Sequence, residues 1–150
     1  MTSSRRLRVV PEEQAVTLVD SCVLLDILTD DPIWGDWSAG TLAAARDHGA
    51  LVINPIIYAE VSTGFDAVEQ LDDALPTAEI VREPLPYQAG FLAAKAFLSY
   101  RERGGERRSP LPDFLIGAHA AVLGYRLLTR DEKRYRTYFP TLRLICPEQN

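Results

Sequence analysis

The stretch Leu111 to Asp131, LPDFLIGAHAAVLGYRLLTRD, constrains the fold more than any other part of this chain. Pro112 falls where a helix begins, since its missing N–H is an orphan donor of the first turn in any case. Asp113 follows, where first-turn N–H groups and the helix dipole favour a carboxylate. The segment is then apolar and rich in small residues, Gly117, Ala118, Ala120 and Ala121, until Gly124 stops it. Tyr125 to Leu128 reads as a short buried strand, and Thr129-Arg130-Asp131 turns out of it. One acid opens a helix, and a second lies just beyond the strand that follows.

The rest of the chain repeats this alternation. Ala15 to Val19 suits a buried strand and is followed by Asp20, Ser21 and an apolar helical stretch from Cys22 to Leu28. Asp30-Asp31-Pro32 breaks that helix. Ile33 to His48 is helical, with Trp34, Trp37, Leu42 and Ala45 at helical spacing and Gly49 as its stop. Leu51 to Ile53 is a second strand. Asn54-Pro55 is an N-cap and first-turn pair for a helix carrying Ile56, Ile57, Glu60 and Val61. A short helix is expected over Asp66 to Leu75 and a third strand over Glu79 to Arg82. An amphipathic helix from Pro86 carries Ala89, Leu92, Ala93, Ala96, Phe97 and Tyr100. The charged loop Arg101 to Ser109 follows it. Beyond Asp131, Glu132 to Tyr138 is polar and basic, and Leu142 to Ile145 is a last strand. This order predicts an α/β fold, a short parallel sheet of about four to five strands flanked by helices. A single domain spans the 150 residues, with 1–14 as a loose leader.

Ligands of such sheets gather at the carboxyl ends of the strands. Asp20 and Asp131 both directly follow strands, so both are expected on that edge, and Asp113 and Glu60 lie in helices that cross back over the sheet. Carboxylates gathered there repel one another and call for a cation. Oxygen-only ligands select a hard ion, Mg²⁺ or Mn²⁺, which suits phosphodiester hydrolysis. Ser21 and Thr129 add hydroxyl contacts to water around that ion. Each acid has a plainer explanation, and Asp20 in particular suits the N-cap of the helix after it. The net charge of −5 argues against a nucleic-acid binder, unless several acids are gathered to hold cations. Arg101, Arg103, Arg107 and Arg108 then offer phosphate contacts just ahead of Asp113. His119 lies about 240° round the helix from Asp113 and is expected to pack rather than bind metal. Trp34 and Trp37 are expected as core or interface residues, and Cys22 and Cys146 as isolated buried thiols in a reducing compartment. No apolar run is long enough for a membrane span, and a cytoplasmic protein is expected.

Four segments carry a family resemblance: VDSCVLLDIL, NPIIYAEV, LPDFLIGAHA and LLTRDEKRYRTYFPTLRLICP. In that order they resemble the PIN-domain ribonucleases and, more narrowly, the VapC toxins of bacterial toxin–antitoxin pairs. The match runs from about Val16 to Pro147. The resemblance implies a PIN-like three-layer fold and a metal-binding quartet of Asp20, Glu60, Asp113 and Asp131. It further implies metal-dependent endonucleolytic cleavage of RNA, a homodimer, and silencing by a cognate VapB-like antitoxin docked on the early helices. A regulatory PIN-like module that keeps the acids and cuts nothing is the alternative. A haloacid-dehalogenase phosphatase needs Asp-x-Asp after its first strand, where this chain has Asp20-Ser21-Cys22. A response-regulator receiver needs an acidic pair there, which is also missing.

Overall fold

The computed structural model describes residues 15–105 and 110–148. The leader 1–14 and two of the four loop arginines, Arg107 and Arg108, lie outside the described residues. Five strands form one parallel sheet: β1 (Thr17–Val19), β2 (Leu51–Ile53), β3 (Ile80–Arg82), β4 (Arg126–Leu128) and β5 (Leu144–Ile145). Seven helices are seen among the described residues: α1 (Ser21–Leu28), α2 (Gly35–His48), α3 (Pro55–Ser62), α4 (Val68–Ala74), α5 (Tyr87–Glu102), α6 (Leu111–Leu123) and α7 (Glu132–Tyr138). The α/β class and the parallel sheet agree with the sequence reading. None of these helices is long and apolar enough to cross a membrane.

The strand order is β3-β2-β1-β4-β5. The chain steps outward from β1 to β3, then returns to pair β4 with the free side of β1. The order thus reverses between β1 and β4, and the carboxyl ends of those two strands flank the crevice where open α/β sheets take their ligands. In register, Leu18 lies opposite Val52 on one side and Leu127 on the other. Leu18, Val19, Ile53, Leu127 and Leu128 are fully buried, as strands covered on both faces require.

Local chemistry explains the element ends. The Asn54 side chain accepts the Ile57 N–H at 3.0 Å, and Pro55 opens α3 without needing its own donor. Gly124 closes α6 at φ 68°, the left-handed conformation that a side chain would strain. Three expectations differ from the structure. The charged loop expected from Arg101 starts later, because α5 runs on to Glu102. The second helix starts at Gly35, not Ile33, because the Asp31 carboxylate accepts the N–H groups of Ile33 and Trp34 and holds both in a turn. Glu132 to Tyr138, left unassigned in the sequence, forms α7, and only Tyr135 on it is fully buried. That helix sits close to α6 because Gly117 has no side chain. A Cβ there would lie 2.7 Å from the Phe139 ring and 3.0 Å from Tyr135.

Candidate active site

Four strands end in a polar residue: Asp20 after β1, Asn54 after β2, Glu83 after β3 and Thr129 after β4. These make a polar row along the carboxyl edge of the sheet. Asp20 is its centre. It is buried, and its Oδ1 accepts the Ser21 N–H at 2.8 Å, so it does cap α1. Its Oδ2 accepts the Thr129 hydroxyl at 2.7 Å and the Tyr135 hydroxyl at 3.3 Å. Three donors favour the carboxylate, yet burial outweighs them. Desolvation first, then repulsion from Asp113 and Glu60, lifts its pKa from 3.8 to about 6. A carboxyl group so perturbed, at the carboxyl edge of the sheet, is a candidate for a functional site.

Glu60 comes from α3. Its Oε1 accepts the Ser21 hydroxyl at 2.8 Å, and its pKa is raised by burial and by Asp113. Asp113 comes from the first turn of α6, and its pKa is also raised, by burial and by Asp131. Against this shift works Arg134 of α7, whose Nη1 donates to Asp113 Oδ2 at 2.5 Å. The same nitrogen lies 3.8 Å from Asp131 Oδ2. Asp20, Glu60, Asp113 and Asp131 are therefore linked electrostatic neighbours drawn from four parts of the chain. Ser21 and Thr129 bond directly to two of the acids and orient them.

As the side chains lie, no three acidic, histidine or cysteine groups among the described residues are gathered closely enough to hold one ion. Asp113 is drawn to Arg134. The donor set still fits a hard divalent cation: every candidate ligand is an oxygen, the carboxyls of Asp20, Glu60 and Asp113 are held above their usual values, and the Arg134 guanidinium already contacts both Asp113 and Asp131. The Cys22 thiol is no nucleophile at neutral pH. Burial and Asp20 push its pKa up to about 11.

Two buried networks brace the edge. Asp26 of α1 receives Arg130 in a two-pronged ion pair, at 2.7 and 3.0 Å, and the Ser38 hydroxyl at 2.7 Å. Arg130 also lies over the Trp34 ring, 5.2 Å from its centre. This ties the loop bearing Thr129 and Asp131 to α1 and α2. On the other side, the Asn54 amide donates to Nδ1 of fully buried His119 at 3.0 Å. His119 Nε2 then carries the proton and faces Glu83 at 3.7 Å, while the Tyr125 hydroxyl donates to Glu83 at 3.0 Å. His119 thus packs beneath the edge and supports the start of α3. Arg101, expected in the loop, instead lies in the last turn of α5 and over the Phe97 ring, and Arg103, just past that helix, lies over the Tyr138 ring.

The sequence reading missed Arg134, Tyr135, Asp26 and Arg130. Arg134 was within reach of it, being three residues after Asp131 in a basic segment, the spacing at which helical side chains meet.

The model of the PIN domain family matches residues 17–140, and the chain belongs to that family. No curated protein matches it in sequence. Among solved structures it is similar to VapBC2 from Rickettsia felis bound to a DNA fragment from their promoter, with a TM-score of 0.69 at 17% identity over 89% of this chain and 99% of that one. It is also similar to VapBC-1 from nontypeable Haemophilus influenzae, with a TM-score of 0.65 at 20% identity over 87% and 97%. A third is FitAcB from Neisseria gonorrhoeae, with a TM-score of 0.62 at 17% identity over 86% and 96%. At these identities the likeness is one of fold.

Proposed function

We propose that this protein is a divalent-metal-dependent endoribonuclease, the toxin of a toxin–antitoxin pair. The observation that carries the reading is Asp20, a buried carboxyl with a pKa of about 6, pressed by Asp113 and Glu60 at the switch point of the sheet. Membership supports it as well, since PIN domains are generally nucleases and typically need a divalent metal. The similar VapBC structures are toxin and antitoxin pairs, which favours an antitoxin partner here.

In this reading Asp20, Glu60, Asp113 and Asp131 hold Mg²⁺ or Mn²⁺. When bound, the ion supplies an activated water and neutralises charge on the reacting phosphate. Asp20 is fixed by Thr129, Tyr135 and the Ser21 N–H, so its unshared lone pairs are aimed rather than free to rotate. Ser21 fixes Glu60 in the same way. Asp131 is the exposed member of the four and stands where the backbone of RNA has access. Arg101 and Arg103, with Arg107 and Arg108, contact phosphates further along the strand and position it without reading sequence.

A groove of about 550 Å³, lined by apolar residues such as Ile27, Leu42 and Ile80 and by the charged Arg46, Asp47 and Glu79, supports docking of an amphipathic antitoxin helix against α1 and α2. A second copy of the chain completes a homodimer in this proposal, and the pair works in the cytoplasm. The test is cleavage of total cellular RNA by the purified protein with Mg²⁺ or Mn²⁺, then with EDTA, beside Asp113→Asn. Discrete fragments that require both metal and Asp113 support the reading. Intact RNA from antitoxin-free protein overturns it in favour of a regulatory PIN-like module that cuts nothing.

A further inference from the structure

We infer that Arg134 is a substrate-positioning residue, held on Asp113 and Asp131 until a divalent ion takes those carboxylates and then bound to an RNA phosphate in the adjoining cleft. The inference rests on the metal-dependent reading above. Three observations carry it. A single nitrogen, Nη1, makes both contacts, at 2.5 Å to Asp113 and 3.8 Å to Asp131, so one cation occupies the gap between two of the proposed ligands. The side chain is about one-third exposed (34%), which leaves it room to swing away from the two acids. Beside it lies a cleft of about 290 Å³ lined by Asp131, Lys133, Arg134, Thr137 and Tyr138.

The charges explain the exchange. A divalent ion offers each carboxylate twice the charge of a guanidinium, and a freed guanidinium beside a metal site meets the next strongest local anion. In RNA that anion is a phosphate, whose geometry suits arginine. Lys133 lines the same cleft, and Arg103 lies over its aromatic wall, Tyr138. A phosphate there finds positive charge on more than one side.

The consequence is a pair of effects of opposite sign from one substitution. Arg134→Gln removes the resident cation, so Mn²⁺, titrated by electron paramagnetic resonance without RNA, binds about three- to fivefold tighter, the scale of one partly exposed ion pair. The same variant loses its phosphate contact, so KM for RNA rises severalfold. Arg134→Lys keeps a single charged nitrogen, so its Mn²⁺ affinity stays near that of the original protein and its KM for RNA falls between those of the original and Arg134→Gln. Arg136→Gln serves as a control for loss of positive charge on the same helix, since Arg136 pairs with Glu132.

A merely structural role for Arg134 weakens metal and RNA together and overturns the inference. Equal tightening of Mn²⁺ in Arg134→Gln and Arg136→Gln overturns it too, since general electrostatics then suffices. If the unsubstituted protein binds Mn²⁺ and cuts RNA but Arg134→Gln changes neither constant, the inference falls alone. If it neither binds Mn²⁺ nor cuts RNA, the metal-dependent reading falls with it.

Discussion

Replacing Asp20 with asparagine should stabilise the metal-free protein at neutral and higher pH. The folded carboxyl titrates at about 6 against an ordinary 3.8, so the folded state holds this proton more tightly than the unfolded chain. Stability from this group is fully present below the lower value and is lost as pH rises through the upper one. The difference of about 2 pH units corresponds to roughly 3 kcal/mol once both states are ionised. Asparagine keeps the size and one acceptor for the Ser21 N–H, and the Thr129 and Tyr135 hydroxyls can turn to face its amide. Exchanging those bonds costs about 1 kcal/mol. The net gain at pH 8 is then about 1–3 kcal/mol, or a Tm higher by about 3–10 °C in a chain of this size. The assay is thermal and urea melting of both proteins in EDTA from pH 4 to pH 8. The two curves should converge near pH 4, separate through pH 6, and close again when Mg²⁺ is added to the unsubstituted protein. An asparagine variant that melts lower at pH 8 in EDTA would refute the reasoning, because the three donors would then outweigh burial and repulsion.

Three further outcomes are expected from urea melts read by circular dichroism. Gly117→Ala places a methyl 2.7 Å from the Phe139 ring, and both Phe139 and Tyr135 are packed, so it should cost about 1–3 kcal/mol. An unchanged midpoint would mean that α7 yields freely. Asn54→Ala removes the cap of α3 and the partner of buried His119 Nδ1, at a combined cost of about 2–4 kcal/mol. Arg130→Ala leaves the buried Asp26 carboxylate with only Ser38 and should cost about 2–4 kcal/mol, somewhat below a fully buried pair because Arg130 reaches solvent. A loss under about 0.5 kcal/mol would class that pair with surface salt bridges.

Much of the architecture was legible because its signals are local. Each of the first two strands is an apolar run ended by a polar residue, Asp20 or Asn54, and Asn54-Pro55 announces a helix by chemistry that needs no tertiary context. Asp113 could be placed by first-turn preference alone. What escaped depended on distant partners. Asp26 reads as one charge in an apolar helix, and its role appears only when Arg130 arrives from 104 residues away. α7 shows no apolar stripe because it buries a single side chain, so its seven residues read as a polar tail to the preceding strand. The direct bonds of Ser21 and Thr129 to Glu60 and Asp20 likewise follow from how α1, α3 and β4 meet.

The return of β4 to the free side of β1 also sets a clock. Thr129 grips Asp20 across 109 residues of chain, and synthesis proceeds N-terminus first at roughly 5–20 residues per second, so the two are made about 5–22 s apart. During that interval β1, β2 and β3 can pair, while Asp20 still lacks Thr129, Asp131 and Tyr135. In the proposed reading, the site that would attack RNA thereby stays incomplete until Thr129 and Asp131 have both emerged.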